Sequence, residues 1–312
     1  MSNFYGQYIG FGSGAAAAGA GTPYIGLRGL FGGGEPYTDT IDYITISSNA
    51  DANDFGNMSS SRAHPGACTG VDSTRAIFFG GYPLTDAIDY VTVASIGDTN
   101  DFGNVTAGAK NERTGLSSGT RGLLCGGSSN NTIDYVVLAS LGDSNDFGDL
   151  TVARGVSTGI SNLTRGIIGG GWAPTIAYND IIDYVTIATT GDANDFGDLS
   201  VDRGNLGGCE NETRGVFMGG NPGGGTTDTI DYVTIANIGN ATDFGDSTLA
   251  RTQPTGLCSS TRGVLAGGYT DAAVNVIDYV TIATTGNATD FGDLAAAAQH
   301  PGGASSKIRG VV

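Results

Sequence analysis

The chain has 312 residues, 54 of them Gly, and sets 14 Lys plus Arg against 31 Asp plus Glu, a net charge of −17 with pI near 4.1. That charge repels phosphate backbones, and no basic stripe offsets it, so nucleic acid and anionic membrane are disfavoured as partners. Only four glutamates (Glu35, Glu112, Glu210, Glu212) and two lysines (Lys110, Lys307) are present; a chain this rich in Asp, Asn, Thr, Ser and Gly, with 13 Tyr and 12 Phe for a core, is expected to be all-β.

The first charged residue is Arg28. The stretch before it lacks a basic leader region and is broken by Gly, Ser, Gln and Pro, which argues against a signal peptide or a bilayer span. Aligning Phe11-Gly12 with Phe291-Gly292 sets Ala15–Ala18 opposite Ala295–Ala298, so residues 1–18 read as a degenerate closing strand.

From there the chain repeats. Ile-Asp-Tyr occurs six times, with its aspartate at Asp42, Asp89, Asp134, Asp183, Asp231 and Asp278, and Asp-Phe-Gly follows each 12 residues later, at Asp54, Asp101, Asp146, Asp195, Asp243 and Asp290. An arginine before a short apolar run and a Gly pair recurs at Arg28, Arg75, Arg121, Arg165, Arg214 and Arg262, and Arg309 begins a seventh, truncated copy. The units lie near 19–65, 66–112, 113–156, 157–205, 206–253 and 254–300, with 301–312 as a partial unit, all within a single domain. In the last full unit the strands are expected at Thr255–Ser260 (A), Thr261–Ala266 (B), Ile277–Ala283 (C) and around Phe291–Ala296 (D). Four short strands per unit of 45 to 49 residues define the blade of a β-propeller. Joining residues 5–18 to 307–312 would give seven blades, with six as the alternative.

The Gly pair ending strand B, the strand with a Tyr after it, and the aromatic marking strand D before Arg154, Arg203 or Arg251 resemble the kelch-type propeller repeat. The likeness is divergent, since the aromatic is Phe rather than Trp and sits further on. The wording Arg-Gly-Val-Phe, Ile-Asp-Tyr-Val-Thr-Ile-Ala and Asp-Phe-Gly-Asp-Leu is also similar to repeats of virion and tail-associated proteins of tailed bacteriophages. That resemblance implies a structural protein of an extracellular particle, with other virion proteins or host-surface glycans or receptors as partners.

The repeated charges read as architecture. An arginine on strand B needs an anion if blade faces are buried, and the Ile-Asp-Tyr aspartate on the next strand is the expected partner, giving a ladder of ion pairs from Arg28, Arg75, Arg121, Arg165, Arg214, Arg262 and Arg309 to the six aspartates. Segments such as Asp98 to Gly103 resemble a carboxylate-rich calcium loop, but they lack a distal bidentate Glu, and Asx turns account for the same residues. His64 and His300 precede Pro-Gly and mark turns from D to A. With two histidines distant in the ring and no nucleophile elbow, no catalytic residue, metal site or cofactor is expected. Cys68, Cys125, Cys209 and Cys258 are expected as buried free thiols.

The variable feature is the B–C loop. From strand B Arg to strand C Asp the spacing is 14, 14, 13, 18, 17 and 16 residues, against a constant 12 from C to D. These loops share a face with the D–A turns and carry Tyr37, Tyr82, Trp172, Tyr178 and Tyr269, the candidate partner-binding residues. The expected function is a non-enzymatic display or docking module of a phage particle. A secreted or cell-surface lectin-like bacterial propeller and a divergent propeller enzyme are the alternatives.

Overall fold

The protein, described as a computed structural model over residues 28–69 and 74–305, forms six four-stranded antiparallel blades with no helix among the described residues. Strands A to D run outward from the axis. In blade 1 they are Gly302–Ser305, Arg28–Gly32, Thr38–Thr45 and Asn53–Arg62; in blade 2, Gly66–Thr69, Arg75–Phe79, Ala87–Thr92 and Asn100–Asn104; in blade 3, Thr114–Ser117, Arg121–Cys125, Thr132–Val137 and Asn145–Asp149. Blade 4 comprises Thr158–Ser161, Arg165–Gly169, Ile181–Thr186 and Asn194–Asp198; blade 5, Gly207–Glu210, Arg214–Met218, Thr229–Thr234 and Thr242–Asp246; blade 6, Thr255–Cys258, Arg262–Ala266, Val276–Thr281 and Thr289–Asp293. A short hairpin in the B–C loop of blade 4 pairs Trp172–Ala173 with Ala177–Tyr178.

The two ends of the described chain meet in blade 1. Gly302–Ser305 pairs antiparallel with Arg28–Gly32, so the C-terminal segment supplies the innermost strand of the first blade, and Phe31, Ile44 and Ile46 then pack against Leu257, Val264 and Phe291 of blade 6. Six blades, the alternative count from the sequence, thus close on one another. The residues invoked for a seventh, 5–18 and 307–312, lie outside the described residues.

The strand B runs are buried on both faces, and the six cores lie between blades rather than within them. Where blades 4 and 5 meet, for example, Ile167, Ile182, Phe196 and Leu199 pack against Phe217, Val233 and Ile235. Asp-Phe-Gly is a β-bulge: in blade 3, Ile133 faces Gly148 and Asp134 faces Asp146, leaving Phe147 as the extra residue, which turns into the core. Gly148 has φ +146°, and a Cβ there would lie 2.5 Å from the backbone of Gly191 in the next blade, so glycine is required on both counts.

One Asp or Asn in each C–D turn ties neighbouring blades together. Asp98, Asp143, Asp192, Asn240, Asn287 and Asp51 each accept, through Oδ1, a backbone N–H from strand D of the preceding blade, that of Asn57, Asn104, Asp149, Asp198, Asp246 and Asp293 respectively. Asp and Asn offer the same acceptor, which explains why they interchange here.

All four cysteines are buried thiols outside any disulfide, as expected. Cys68 and Cys209 share one position in strand A, a regularity missed in the sequence.

Candidate functional site

The ion-pair ladder exists, but its cations differ from those expected. Asp89, Asp134, Asp183, Asp231 and Asp278 pair with Arg62, Arg113, Arg154, Arg203 and Arg251, which stand at the D–A turn of the preceding blade. The strand B arginines Arg28, Arg75, Arg121, Arg165, Arg214 and Arg262 instead lie 4.2–4.8 Å over the tyrosine rings of their own Ile-Asp-Tyr. Each of those tyrosines meets the Asp-Phe-Gly phenylalanine edge-on. The same guanidinium donates to a carbonyl of the following blade, as from Arg165 to Ile235 and from Arg262 to Ile46. The physical reason is position: in the B–C register the strand B arginine shares the face of its Tyr, toward the following blade, whereas the aspartate lies on the opposite face, toward the preceding blade. Arg309 lies outside the described residues. Asp42 has no arginine: Ala298 occupies the place of Arg251, each offering its carbonyl to the second glycine of the neighbouring Gly pair.

The B–C loops and D–A turns share one face, joined by bridges such as Ala63 to Tyr82, Gly155 to Trp172 and Thr252 to Tyr269. Of the aromatic residues selected from the sequence, Tyr37, Tyr82 and Trp172 are 50%, 46% and 40% exposed, while Tyr178 and Tyr269 are half-buried. Tyr37 and Tyr82, from adjacent blades, meet edge to face at 5.7 Å. Trp172 and Tyr178 are cross-strand partners in the hairpin, so the long loop is an ordered projection.

At the centre of this face lies a feature that sequence reasoning missed. His64, Glu112, Val156, Asn205, Gln253 and His300 occupy one equivalent position in the six D–A turns, all with positive φ between 52° and 62°. Their backbones are chained around the axis: Val156 N–H to Glu112, Asn205 to Val156, Gln253 to Asn205, His300 to Gln253 and His64 to His300. Left-handed conformations are costly for residues other than Gly, above all for β-branched Val156, and here they are imposed by the ring. All six line a recess of about 130 Å³ at the mouth of the central channel. Below it the A strands approach closely, with Ser117 Oγ donating to Thr69 O and Ser161 Oγ to Ser117 O. The available signal was the residue before Pro-Gly, recognised only as a turn.

The histidines are not distant in space. Closure places the blade 1 and blade 6 turns side by side, and the His64 and His300 rings stack with centroids 3.6 Å apart. His64 Nε2 lies 3.3 Å from Glu35 Oε1, His300 Nε2 lies 3.0 Å from Asn205 Oδ1, and Gln299 Nε2 donates to Glu35 Oε2 at 2.6 Å. Burial, and then the neighbouring His64, hold the His300 pKa well below the ordinary histidine value, so that His300 is neutral at pH 7. Glu35, His64 and His300 are the one group of three metal-ligating side chains that meet among the described residues, correcting the expectation that no such set could assemble. Each is already engaged by a protein group.

Fold and site together define a β-propeller with a regular frame and an individualised loop face. No model of a known protein family and no curated protein matches the chain.

Proposed function

We propose that the chain is a non-enzymatic recognition module, a rigid kelch-like propeller that presents its loop face to a partner as a structural component of a tailed-phage particle. One observation carries the recognition role: at the channel mouth a single backbone geometry, repeated six times, bears five different side chains, and the surrounding B–C loops vary in length and expose Tyr37, Tyr82 and Trp172. The opposite face repeats a Gly-Asx turn in five blades, with Ala50-Asp51 at that place in the first. Architecture requires repetition, whereas recognition of an irregular partner requires departure from it. Exposed aromatics beside polar acceptors suit a glycan ring or a protein loop. The placement in a virion is supported by the wording of the repeat.

The test is cryo-EM of particles from the source, combined with a glycan array probed with the isolated chain and its Trp172→Ala and Tyr82→Ala variants. Ring density with the loop face outward, and glycan binding lost in the variants, supports host attachment. A loop face buried against another virion protein supports a docking role in assembly. Absence of the chain from particles overturns the virion reading.

A further inference from the structure

Four of the six Ile-Asp-Tyr carboxylates sit in nearly identical surroundings, each with a hydroxyl and an arginine. Asp183 accepts from Thr151 Oγ1 at 2.6 Å and pairs with Arg154 Nη1 at 3.0 Å; Asp231 accepts from Ser200 Oγ at 2.7 Å and pairs with Arg203 Nη2 at 2.9 Å. Asp278 has Thr248 and Arg251, and Asp89 has Ser59 and Arg62. Blade 3 confirms that the cation is the persistent partner: Lys110 there takes the place of Arg62, and Arg113, three residues on, supplies the guanidinium to Asp134 at 2.6 Å.

At the sixth site both partners are missing. Ala295 stands where Thr248 or Ser200 would, and Ala298 where Arg251 or Arg203 would, both within the run Ala295–Ala298. Asp42 is consequently half-buried rather than buried, and among the described residues its carboxylate has no hydrogen-bond or ion-pair partner. The space that the hydroxyl and guanidinium fill elsewhere is a cavity of about 260 Å³. Its wall is apolar where the arginine stem runs in the sister sites, formed by Phe31, Leu294 and the alanines, and polar at Asp42. Thr38 and Thr40, also in the wall, bond to each other through their hydroxyls, and Glu35 is held by Gln299 and His64. Asp54, opposite Asp42 in the C–D register, adds a second negative charge nearby.

We infer that this cavity is a binding site for a guanidinium group on a short aliphatic stem, supplied from outside the chain and seated on Asp42 as Arg203 is seated on Asp231. The volume is slightly below that of sites for drug-sized ligands and suits one side chain or a small cation rather than a sugar. A planar guanidinium can take both carboxylate oxygens, and the apolar wall covers the methylene stem; a primary ammonium satisfies the first condition less well. The shared chemistry admits two sources, a free alkylguanidine or an arginine of a peptide. This site adjoins the channel mouth at Glu35 and Pro301 but rests on Asp42, which is not part of that mouth, so its failure leaves the proposed recognition role standing.

The test is calorimetric titration of the full chain with agmatine, with its diamine counterpart putrescine, and with a short arginine-containing peptide. Saturable binding of agmatine, weaker binding of putrescine, and a loss of about tenfold or more in Asp42→Asn are expected. Binding by agmatine alone assigns a small-molecule ligand; binding by the peptide as well assigns an arginine side chain, and either supports the site. Ala298→Arg should abolish binding while raising Tm, because the variant carries its own guanidinium. Ala298→Leu, which fills the cavity without a cation, should abolish binding without reproducing the salt-sensitive part of that rise. No saturable binding, undiminished binding in Ala298→Arg with a native circular dichroism spectrum, or binding that appears only in Arg309→Ala would overturn the inference, the last by tracing the guanidinium to the chain itself.

Discussion

The Arg203 guanidinium and the Asp231 carboxylate come from different blades and meet 2.9 Å apart with neither side chain exposed. Burial alone pushes the Arg203 pKa down, and Asp231 pushes it back up, so each charge is tolerated because of the other. Arg203→Met should therefore cost about 3–5 kcal/mol, the penalty of a buried carboxylate without its partner. Combining it with Asp231→Leu should recover most of that loss in urea unfolding. A double variant as unstable as the single one would mean that packing, not charge, is the main contribution.

Asp42 should behave in the opposite way. Burial, then Asp54, raise its carboxyl pKa, so the charged form is disfavoured in the folded state and the fold gains relative stability as pH falls through the raised value. Asp42→Asn is expected to leave Tm unchanged or raise it at pH 7, where Asp231→Asn lowers it. Equal losses in the two variants would contradict the difference between the sites.

The C–D turns predict a distinction between acceptor and charge. Asp143 accepts the Asn104 N–H at 2.8 Å, and Asn240 and Asn287 do the same work in later blades. Asp143→Asn should thus stay within about 0.5 kcal/mol of the parent. Asp143→Ala, which removes the acceptor, should lose about 1 kcal/mol, and chemical denaturation distinguishes the two.

Close approach of the innermost strands can be probed at Gly256, where a Cβ would lie 2.0 Å from Gly208 O in the neighbouring blade. Gly256→Ala should destabilise the ring by about 1–3 kcal/mol or more, since backbone rather than a flexible side chain must yield. Gly224, with nothing within 4 Å of its would-be Cβ, is the control. A Tm for Gly256→Ala matching that of Gly224→Ala would show that the A strands can separate at little cost.

Acid should loosen the channel mouth. Because the folded pKa of His300 lies below the unfolded value of 6.5, the unfolded chain binds the proton more readily. This contribution is complete above pH 6.5 and declines as pH falls toward the folded pKa. Gln253 holds the equivalent position with φ +62°, so His300→Gln should be tolerated and should flatten the dependence of Tm on pH between about 7 and 5. An unchanged slope would assign the acid sensitivity to other groups.

Much of this architecture was legible in the repeat. The constant 12-residue step from Ile-Asp-Tyr to Asp-Phe-Gly specified two neighbouring strands joined by a turn of fixed length, and the Gly pairs marked where strand B ends. The unequal spacing from strand B arginine to strand C aspartate marked the B–C loops as the elements that vary in length. These are local properties, set by the period of a strand and the torsions of a turn.

What tertiary structure alone decided are the relations between units. A repeat describes one blade, whereas the arginine that meets Asp231 belongs to the blade before it, and the aspartate's facing direction is not encoded in the spacing within a unit. The strand B arginine, assigned to that aspartate by proximity in sequence, lies over its own Tyr ring because the strand register puts Arg and Tyr on the face toward the following blade and the aspartate on the face toward the preceding one. Closure has the same character: His64 and His300 become stacking neighbours, and Asp42 meets Ala298 instead of an arginine, only because the last A strand completes the first blade. Ring geometry converts separation along the chain into contact, so the places where symmetry fails acquire chemical meaning only once the ring is closed.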